Sequence, residues 1–148
     1  MEKELQLYTG ALAADDRGTV RFVNDFNFEG VKRFYTLENY RAGFVRAWHG
    51  HKKEAKYVHC LRGAAVIGVV PVDDFDAPPD PGAGVSRYWL SAGQPRVLYI
   101  PPGNYNGSMA LTDDTMLIFF STSTVEESMG DDFRLPARFW DAWSIEER

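Results

Sequence analysis

Cysteine is almost absent from this sequence, and long apolar runs are absent altogether. Cys60 is the single cysteine among 148 residues, so no disulfide can form within the chain and a reducing compartment fits. Its apolar neighbours in "KYVHCLRG" favour a buried, inert thiol over a nucleophile. No stretch reaches the length of a membrane span, and "MEKELQLYTG" lacks the apolar segment of a signal peptide. We therefore expect a cytoplasmic protein without a membrane partner.

Excess positive charge is lacking as well. The net charge is -5, which argues against a general nucleic-acid binder or a membrane-surface binder. Half of the 16 lysines and arginines nevertheless fall within residues 32–62. Such a basic segment could hold a small anionic ligand, or it could be a solvated surface balanced by Glu38 and Glu54.

Short runs of β-branched and aromatic residues make up most of the chain. They recur about every ten residues, which predicts an all-β sandwich or barrel. The length suits one compact domain over residues 1–148. The predicted strands lie in "TVRFVNDFNF", "VKRFYTLENY", "AGFVRAWH", "KYVHCLRG", "AAVIGVVPV", "SRYWLS", "RVLYIPP", "GSMALT" and "TMLIFFST".

Two breaks and a tail depart from this pattern. Residues 73–84, "DDFDAPPDPGAG", predict a surface loop, and residues 112–115, "TDDT", predict a tight turn. Near the C-terminus, Phe139, Trp140 and Trp143 recur at helical spacing. This spacing predicts either a short amphipathic helix or an extended tail anchored by its aromatic side chains.

All three histidines lie in "RAWHGHKKEAKYVH", residues 46–59. Side chains alternate along a strand, so the H-x-H pair His49 and His51 shares one face. A neutral imidazole near a lysine is suited to accepting a proton, because the like charge of the lysine lowers the pKa of the ring. The lysine can also stabilise an enolate oxygen. Such a set suits enolisation of a ketone without metal, nicotinamide or covalent intermediate.

The spacing around these histidines resembles the first motif of the cupin superfamily, a double-stranded β-helix jelly roll. Gly43 precedes His49 and His51 as that motif requires, but Lys56 stands where the motif has glutamate. Asn106 stands where the second motif has histidine. A lysine ammonium offers no lone pair to a cation, and an amide oxygen suits zinc or iron poorly. The resemblance therefore implies a cupin barrel with no bound metal.

A narrower resemblance lies within the metal-free cupins. The run "KRFYTLENYRAGFVRAWHGHKK" resembles the sugar-nucleotide 3,4-ketoisomerases, and "LYIPPGNYNGSMAL" resembles the dTDP-4-dehydrorhamnose 3,5-epimerases. The resemblance runs from Val31 to Ser121. It implies a homodimeric isomerase of a dTDP-linked 4-keto-6-deoxy sugar, with no cofactor and a place in deoxysugar or polysaccharide biosynthesis. The sugar is expected inside the barrel and the nucleotide near its mouth.

The same resemblance assigns roles to individual residues. His49 falls on the histidine that transfers the proton, and His51 falls on the second histidine of the ketoisomerases. Lys56 falls on the epimerase lysine near the ketone. Arg46 falls on an arginine that contacts substrate, and Asn106 falls where relatives often have histidine.

The epimerases also use a tyrosine as acid, on the strand that here reads "MLIFFSTST" and contains none. Tyr35, Tyr105 or His51 could replace it, and the sequence does not choose between them. Tyr35, Tyr105 and Arg33 complete the predicted substrate-binding set with Arg46 and Asn106.

Two questions of register and two alternative functions stay open at this point. Strict alternation places Arg46 on the face opposite His49 unless a bulge intervenes, and a shift of one residue would turn Lys56 to solvent. The first alternative is a non-catalytic cupin that binds a sugar or a nucleotide sugar. The second is a metal-dependent cupin that uses His49, His51, Glu54 and His59, although we expect His59 to be structural.

Overall fold

Alternating side chains build the strands as the sequence predicts. The computed structural model describes residues 4–148 and contains, within that range, twelve strands and one short helix. The elements are β1 (Gln6–Thr9), β2 (Ala11–Asp15), β3 (Gly18–Phe22), β4 (Arg33–Glu38), β5 (Val45–His51), β6 (Lys56–Arg62), β7 (Ala64–Pro71), β8 (Ser86–Ser91), β9 (Arg96–Ile100), β10 (Asn104–Ala110), β11 (Met116–Ser121), α1 (Val125–Met129) and β12 (Phe133–Arg134).

The strands form two antiparallel five-stranded sheets and a separate hairpin. The first sheet has the order β1-β9-β6-β11-β4 and the second has the order β12-β5-β10-β7-β8, whereas β2 pairs with β3 alone. Apolar side chains from both sheets meet in one core, among them Val58, Leu98 and Leu117 of the first sheet and Ile67 and Leu90 of the second. The predicted all-β jelly roll is therefore confirmed.

The predicted connections are also present. Residues 73–84 form no strand or helix, and residues 112–115 form the turn between β10 and β11. In that turn the Thr115 hydroxyl donates to the carbonyl of Ala64 at 2.8 Å. None of the residues from 4 to 148 lies in a helix of the length and apolarity that crossing a membrane requires.

The single cysteine lies in the core, as its neighbours predict. Cys60 is 2% exposed, and its Sγ donates to the carbonyl of Arg62 at 3.1 Å. Burial raises the pKa of this thiol to about 11. The reactive thiolate is therefore scarce at neutral pH.

After β12 the C-terminal tail forms turns and irregular backbone without a helix and is anchored by tryptophans, so the helical alternative is wrong. Trp140 and Trp143 pack on Trp48, with ring centroids 5.4 Å and 5.1 Å away. The indole of Trp140 donates to the carbonyl of Asp80 at 2.8 Å. Gly68 leaves room for this cluster, because a Cβ there would lie 2.7 Å from the Trp48 ring. The tail thus closes the outer face of the second sheet.

This packing predicts a large loss of stability when a tail indole is removed. Trp143→Ala is expected to lower the free energy of unfolding by about 3 to 5 kcal/mol, because a buried ring leaves a cavity behind. Urea unfolding followed by circular dichroism measures the change. Ile145→Ala is the matched control, since Ile145 is 55% exposed. Equal stabilities of the two variants would show that the tail does not hold the sheet.

Candidate active site

A cavity of about 350 Å³ opens between the two sheets at one end of the barrel. Its walls come from β4, β5, β6, β10 and β11 and from residues 125–134. The volume falls in the range of small-molecule sites. All but one of the predicted site residues line it: Arg33, Tyr35, Arg46, His49, His51, Lys56 and Asn106. The structure brings these side chains together, and their roles in chemistry stay predictions.

A bulge in β5 brings Arg46 to the same face as His49. Asn106 of β10 pairs with His49 but Ser108 pairs with Arg46, so β5 carries one extra residue between the two pairs. Gly107 lies opposite the bulge, where a Cβ would come within 2.4 Å of the Ala47 side chain. The sequence left the orientation of Arg46 open, and the bulge decides it in favour of the cavity.

Lys56 also points inward. It is the first residue of β6 and is 7% exposed. Its Nζ lies 5.9 Å from the centroid of the Phe119 ring. His59 follows three residues later and therefore faces the other side of the sheet, where its Nδ1 lies 2.8 Å from the carbonyl oxygen of Arg96. His59 is a structural histidine outside the cavity, as expected.

His49 is held as a neutral imidazole. Burial is the main cause that lowers its pKa to about 4, and the positive charges of Lys56 and Arg134 lower the pKa further. The ring is therefore uncharged at neutral pH and can accept a proton. Asn106 supports the strand here, because its side-chain amide donates to the carbonyl of His49 at 3.2 Å.

The ring of His51 has a defined orientation. Its Nδ1 bonds to the carbonyl oxygen of Asp131, and since a carbonyl only accepts, Nδ1 carries a hydrogen. Its Nε2 faces the carboxylate of Glu54, with 3.5 Å between Nε2 and Oε2. Burial and then Lys56 lower the pKa of His51, whereas the bond to Asp131 and the charge of Glu54 oppose that shift.

Glu54 is the main residue of the cavity whose place sequence reasoning missed. The sequence suggested that Glu54 is a counter-charge on the surface or a metal ligand, yet its side chain is buried and the residue is only 2% exposed. Its carboxylate lies 3.6 Å from the guanidinium of Arg33 and 3.6 Å from the ammonium of Lys56. Glu54 belongs to the turn between β5 and β6, where no periodic pattern signals burial.

Asp131 fixes that turn and was also missed. Its carboxylate accepts the backbone N–H groups of Lys52, Lys53 and Glu54 at 2.7 Å, 2.9 Å and 3.0 Å. Burial raises the pKa of this carboxyl, but the three hydrogen bonds together outweigh burial and the pKa falls below its usual value. These hydrogen bonds to Asp131 fix the positions of His51 and Glu54 relative to each other. Lys52 instead points outward, and its ammonium lies 3.0 Å from the carboxylate of Asp76.

Residues 125–134 supply the rim of the cavity. Val125, Ser128 and Met129 of α1 line the opening, together with Asp132 and Arg134. None of the site residues predicted from the sequence lies in this region. The pairing of β12 with β5, Arg134 opposite His49, is the contact that brings the rim to the site.

The prediction for Tyr105 is wrong, whereas Tyr35 lies where a substrate could reach it. Tyr105 faces away from the cavity and packs on Phe75 and Trp140, with ring centroids 5.0 Å and 5.5 Å away. Tyr105 and Asn106 are adjacent on β10, so they lie on opposite faces. Tyr35 of β4 stacks on Phe119 at 5.1 Å on the first sheet, across the cavity from β5.

The metal-dependent alternative lacks a ligand set. Across residues 4–148, no group of three histidine, cysteine, aspartate or glutamate side chains is placed to hold a metal ion. His59 faces away, and the carboxylate that was considered as a ligand, Glu54, lies between cations.

The fold and the cavity together define a class, a jelly-roll protein whose cavity between the sheets is lined by histidine, lysine and arginine side chains. The family model for dTDP-4-dehydrorhamnose 3,5-epimerase matches residues 3–134, and the chain belongs to this family. This membership confirms the predicted class of enzyme, a nucleotide-sugar isomerase or epimerase. No curated protein matches the chain.

Solved structures of the same fold come from several enzymes. A 3'-monoepimerase from Streptomyces bikiniensis, in complex with dTDP-quinovose, is 19% identical with a TM-score of 0.74, over 94% of this chain and 74% of that one. A sugar 3,4-ketoisomerase from Thermoanaerobacterium thermosaccharolyticum, in complex with TDP, is 21% identical with a TM-score of 0.67, over 94% and 93%. The Mycobacterium tuberculosis rmlC epimerase is 18% identical with a TM-score of 0.72, over 91% and 72%.

The electrostatics of the cavity predict that Lys56 controls the basicity of His49. Lys56→Gln removes a cation that lowers the pKa of His49, so that pKa is expected to rise by about one unit. Histidine titration by NMR of the labelled protein measures the shift. Lys53→Gln removes an exposed charge on the turn that precedes β6 and serves as control. A His49 pKa that does not respond to Lys56→Gln would contradict the predicted coupling.

Proposed function

We propose that the protein removes the C3 proton of a dTDP-linked 4-keto-6-deoxy sugar and returns a proton through an enolate. The observation that carries this proposal is a neutral His49 that shares one buried cavity with Lys56. Family membership supports the substrate class. The structural relatives support it too, since one was solved with dTDP-quinovose and another with TDP.

In this mechanism His49 acts as the base. As it takes the C3 proton, negative charge moves onto the ketone oxygen, and the ammonium of Lys56 stabilises that charge. The negative substrate raises the pKa of His49 on binding, which strengthens the base where it is needed. Arg33, Arg46 and Arg134 offer guanidinium groups for the diphosphate, which arginine binds through paired hydrogen bonds.

The arrangement of the two histidines favours a 3,4-ketoisomerase. His49 and His51 lie two residues apart on one strand and face the same side of the substrate. A ketone moves between adjacent carbons when one proton leaves C3, the hydroxyl proton on O3 passes to O4, and another proton arrives at C4 from that side. Epimerisation at C3 is the second candidate, because Tyr35 lines the opposite wall and could deliver a proton to the other face.

Exchange of solvent deuterium into the sugar tests the proposal. The wild type is expected to incorporate deuterium at C3 of a dTDP-4-keto-6-deoxyhexose, and His49→Asn is expected to lower the rate by about a hundredfold or more. Mass spectrometry of the recovered sugar measures incorporation. His59→Asn, the control, should keep the rate of the wild type. Binding by calorimetry without exchange would instead favour the non-catalytic alternative.

The product separates the two catalytic candidates. A 3-keto sugar from the wild type and from Tyr35→Phe supports the ketoisomerase. A 4-keto epimer whose formation is lost in Tyr35→Phe supports the epimerase, and proton NMR of the product distinguishes them.

We further propose a cytoplasmic homodimer that serves deoxysugar or polysaccharide biosynthesis. Apolar side chains on the outer side of the first sheet support a partner there, because Phe28 is 54% exposed and Phe34 is 66% exposed. Phe26 and Phe120 form one aromatic cluster with Phe28 and Phe34.

Light scattering tests the dimer. The wild type should have twice the 16.7 kDa mass of the chain, and Phe34→Lys should weaken the dimer by about tenfold or more through an unpaired buried charge. Ile145→Lys changes an exposed residue of the tail and is the control. A monomer at all concentrations would rule the dimer out.

A further inference from the structure

Glu54 lies among the reactive side chains of the cavity but has no role in the proposed mechanism. Its side chain is fully buried, and three basic groups approach it: the guanidinium of Arg33 at 3.6 Å, Nε2 of His51 at 3.5 Å and the ammonium of Lys56 at 3.6 Å. Within residues 4–148 neither carboxylate oxygen has a hydrogen-bond partner, and neither does Nε2 of His51. A buried carboxylate without hydrogen bonds is costly, so its retention needs an explanation.

The groups around Glu54 are fixed by hydrogen bonds to other parts of the protein. Nε of Arg33 donates to the carbonyl of Ser123 at 3.0 Å. The backbone N–H of Glu54 donates to the carboxylate of Asp131 at 3.0 Å, and Nδ1 of His51 donates to the carbonyl of the same residue. These hydrogen bonds to Asp131 orient the Glu54 carboxylate and the His51 ring toward each other, although the two side chains share no hydrogen bond.

The orientation of His51 restricts what it can do with a proton. Because Nδ1–H is engaged with a carbonyl, a neutral ring presents a bare Nε2 that can only accept. The ring can donate into the cavity only when Nε2 is protonated as well. Burial and the cation Lys56 oppose that charge, and Arg33 and Arg134 are further cations that line the cavity. The carboxylate of Asp131 is occupied by three backbone N–H groups.

We propose that Glu54 is a positioning residue that favours a proton on Nε2 of His51, against burial and the charge of Lys56, and thereby makes His51 the proton donor of the reaction. The inference rests on the proposed function. In the donating step the Nε2–H bond breaks and a C–H bond forms at the enolate carbon, which leaves His51 neutral. The proton that His49 took from C3 returns to solvent, and His51 regains one from solvent beside the carboxylate.

The same carboxylate also orders the cations. One negative charge between Arg33 and Lys56 reduces their mutual repulsion and holds the Lys56 ammonium toward the ketone. The other titratable or charged groups that line the cavity are Tyr35, Arg46, His49, Asp132 and Arg134. Glu54 therefore couples the donor to the group that stabilises the enolate.

Glu54→Gln tests the inference because it keeps the shape and removes the charge. Without substrate, NMR titration of labelled histidines should show the pKa of His51 lower than in the wild type by about one unit, with that of His59 unchanged. With substrate, kcat should fall by about a hundredfold with KM changed by less than about threefold. The alkaline limb of the pH profile should move to lower pH, since the donor loses its proton earlier.

Two further variants complete the experiment. Glu54→Asp keeps the charge and should recover part of the lost kcat, and it carries the test if Glu54→Gln does not fold. Glu38→Gln removes an exposed carboxylate that pairs with Arg62 and should behave like the wild type.

The outcomes separate this inference from the proposed function. The role of Glu54 is overturned if the protein is active and the two variants, Glu54→Gln and Glu54→Asp, have the same His51 pKa and the same pH profile. A wild type without exchange or product on any 4-keto nucleotide sugar overturns the proposed function and the donor role with it. The histidine titration alone then still reports whether Glu54 holds the Nε2 proton.

Discussion

Charge compensation inside an otherwise apolar barrel is the constraint on which the site depends. Two sheets joined by a hydrophobic core leave one end open, and several basic side chains converge there. Such a cluster repels itself in a low-dielectric setting unless a carboxylate lies among its members. Glu54 supplies that charge, and Asp131 fixes the turn that carries it.

Much of the fold could be predicted because its strands alternate. β4 alternates between half-buried and exposed side chains, whereas β7 is buried on both faces and appears in the sequence as a continuous apolar run. β1 and β2 were missed because their side chains are mostly exposed and carry no buried face to signal. The tail could not be assigned because helical spacing of aromatic residues also suits indoles that pack one by one.

The site was predictable where chemistry is local. His49, His51 and Lys56 lie close together in the chain, and the resemblance to known motifs placed each of them. The burial of Glu54 could not be predicted, because it depends on hydrogen bonds from its turn to Asp131, which lies 77 residues away. Tyr105 was placed in the substrate set although it is adjacent to Asn106 on one strand, so simple alternation already excluded one of the two.

The bulge in β5 has a consequence for how this protein can vary. Because side-chain direction reverses with each residue, the number of residues between Arg46 and His49 decides whether both face the cavity. A regular strand with the same spacing of three residues, without the bulge, would leave both residue types in the chain and still turn one of them away from the cavity. The backbone geometry of β5, and not only its residue types, therefore determines which side chains line the cavity.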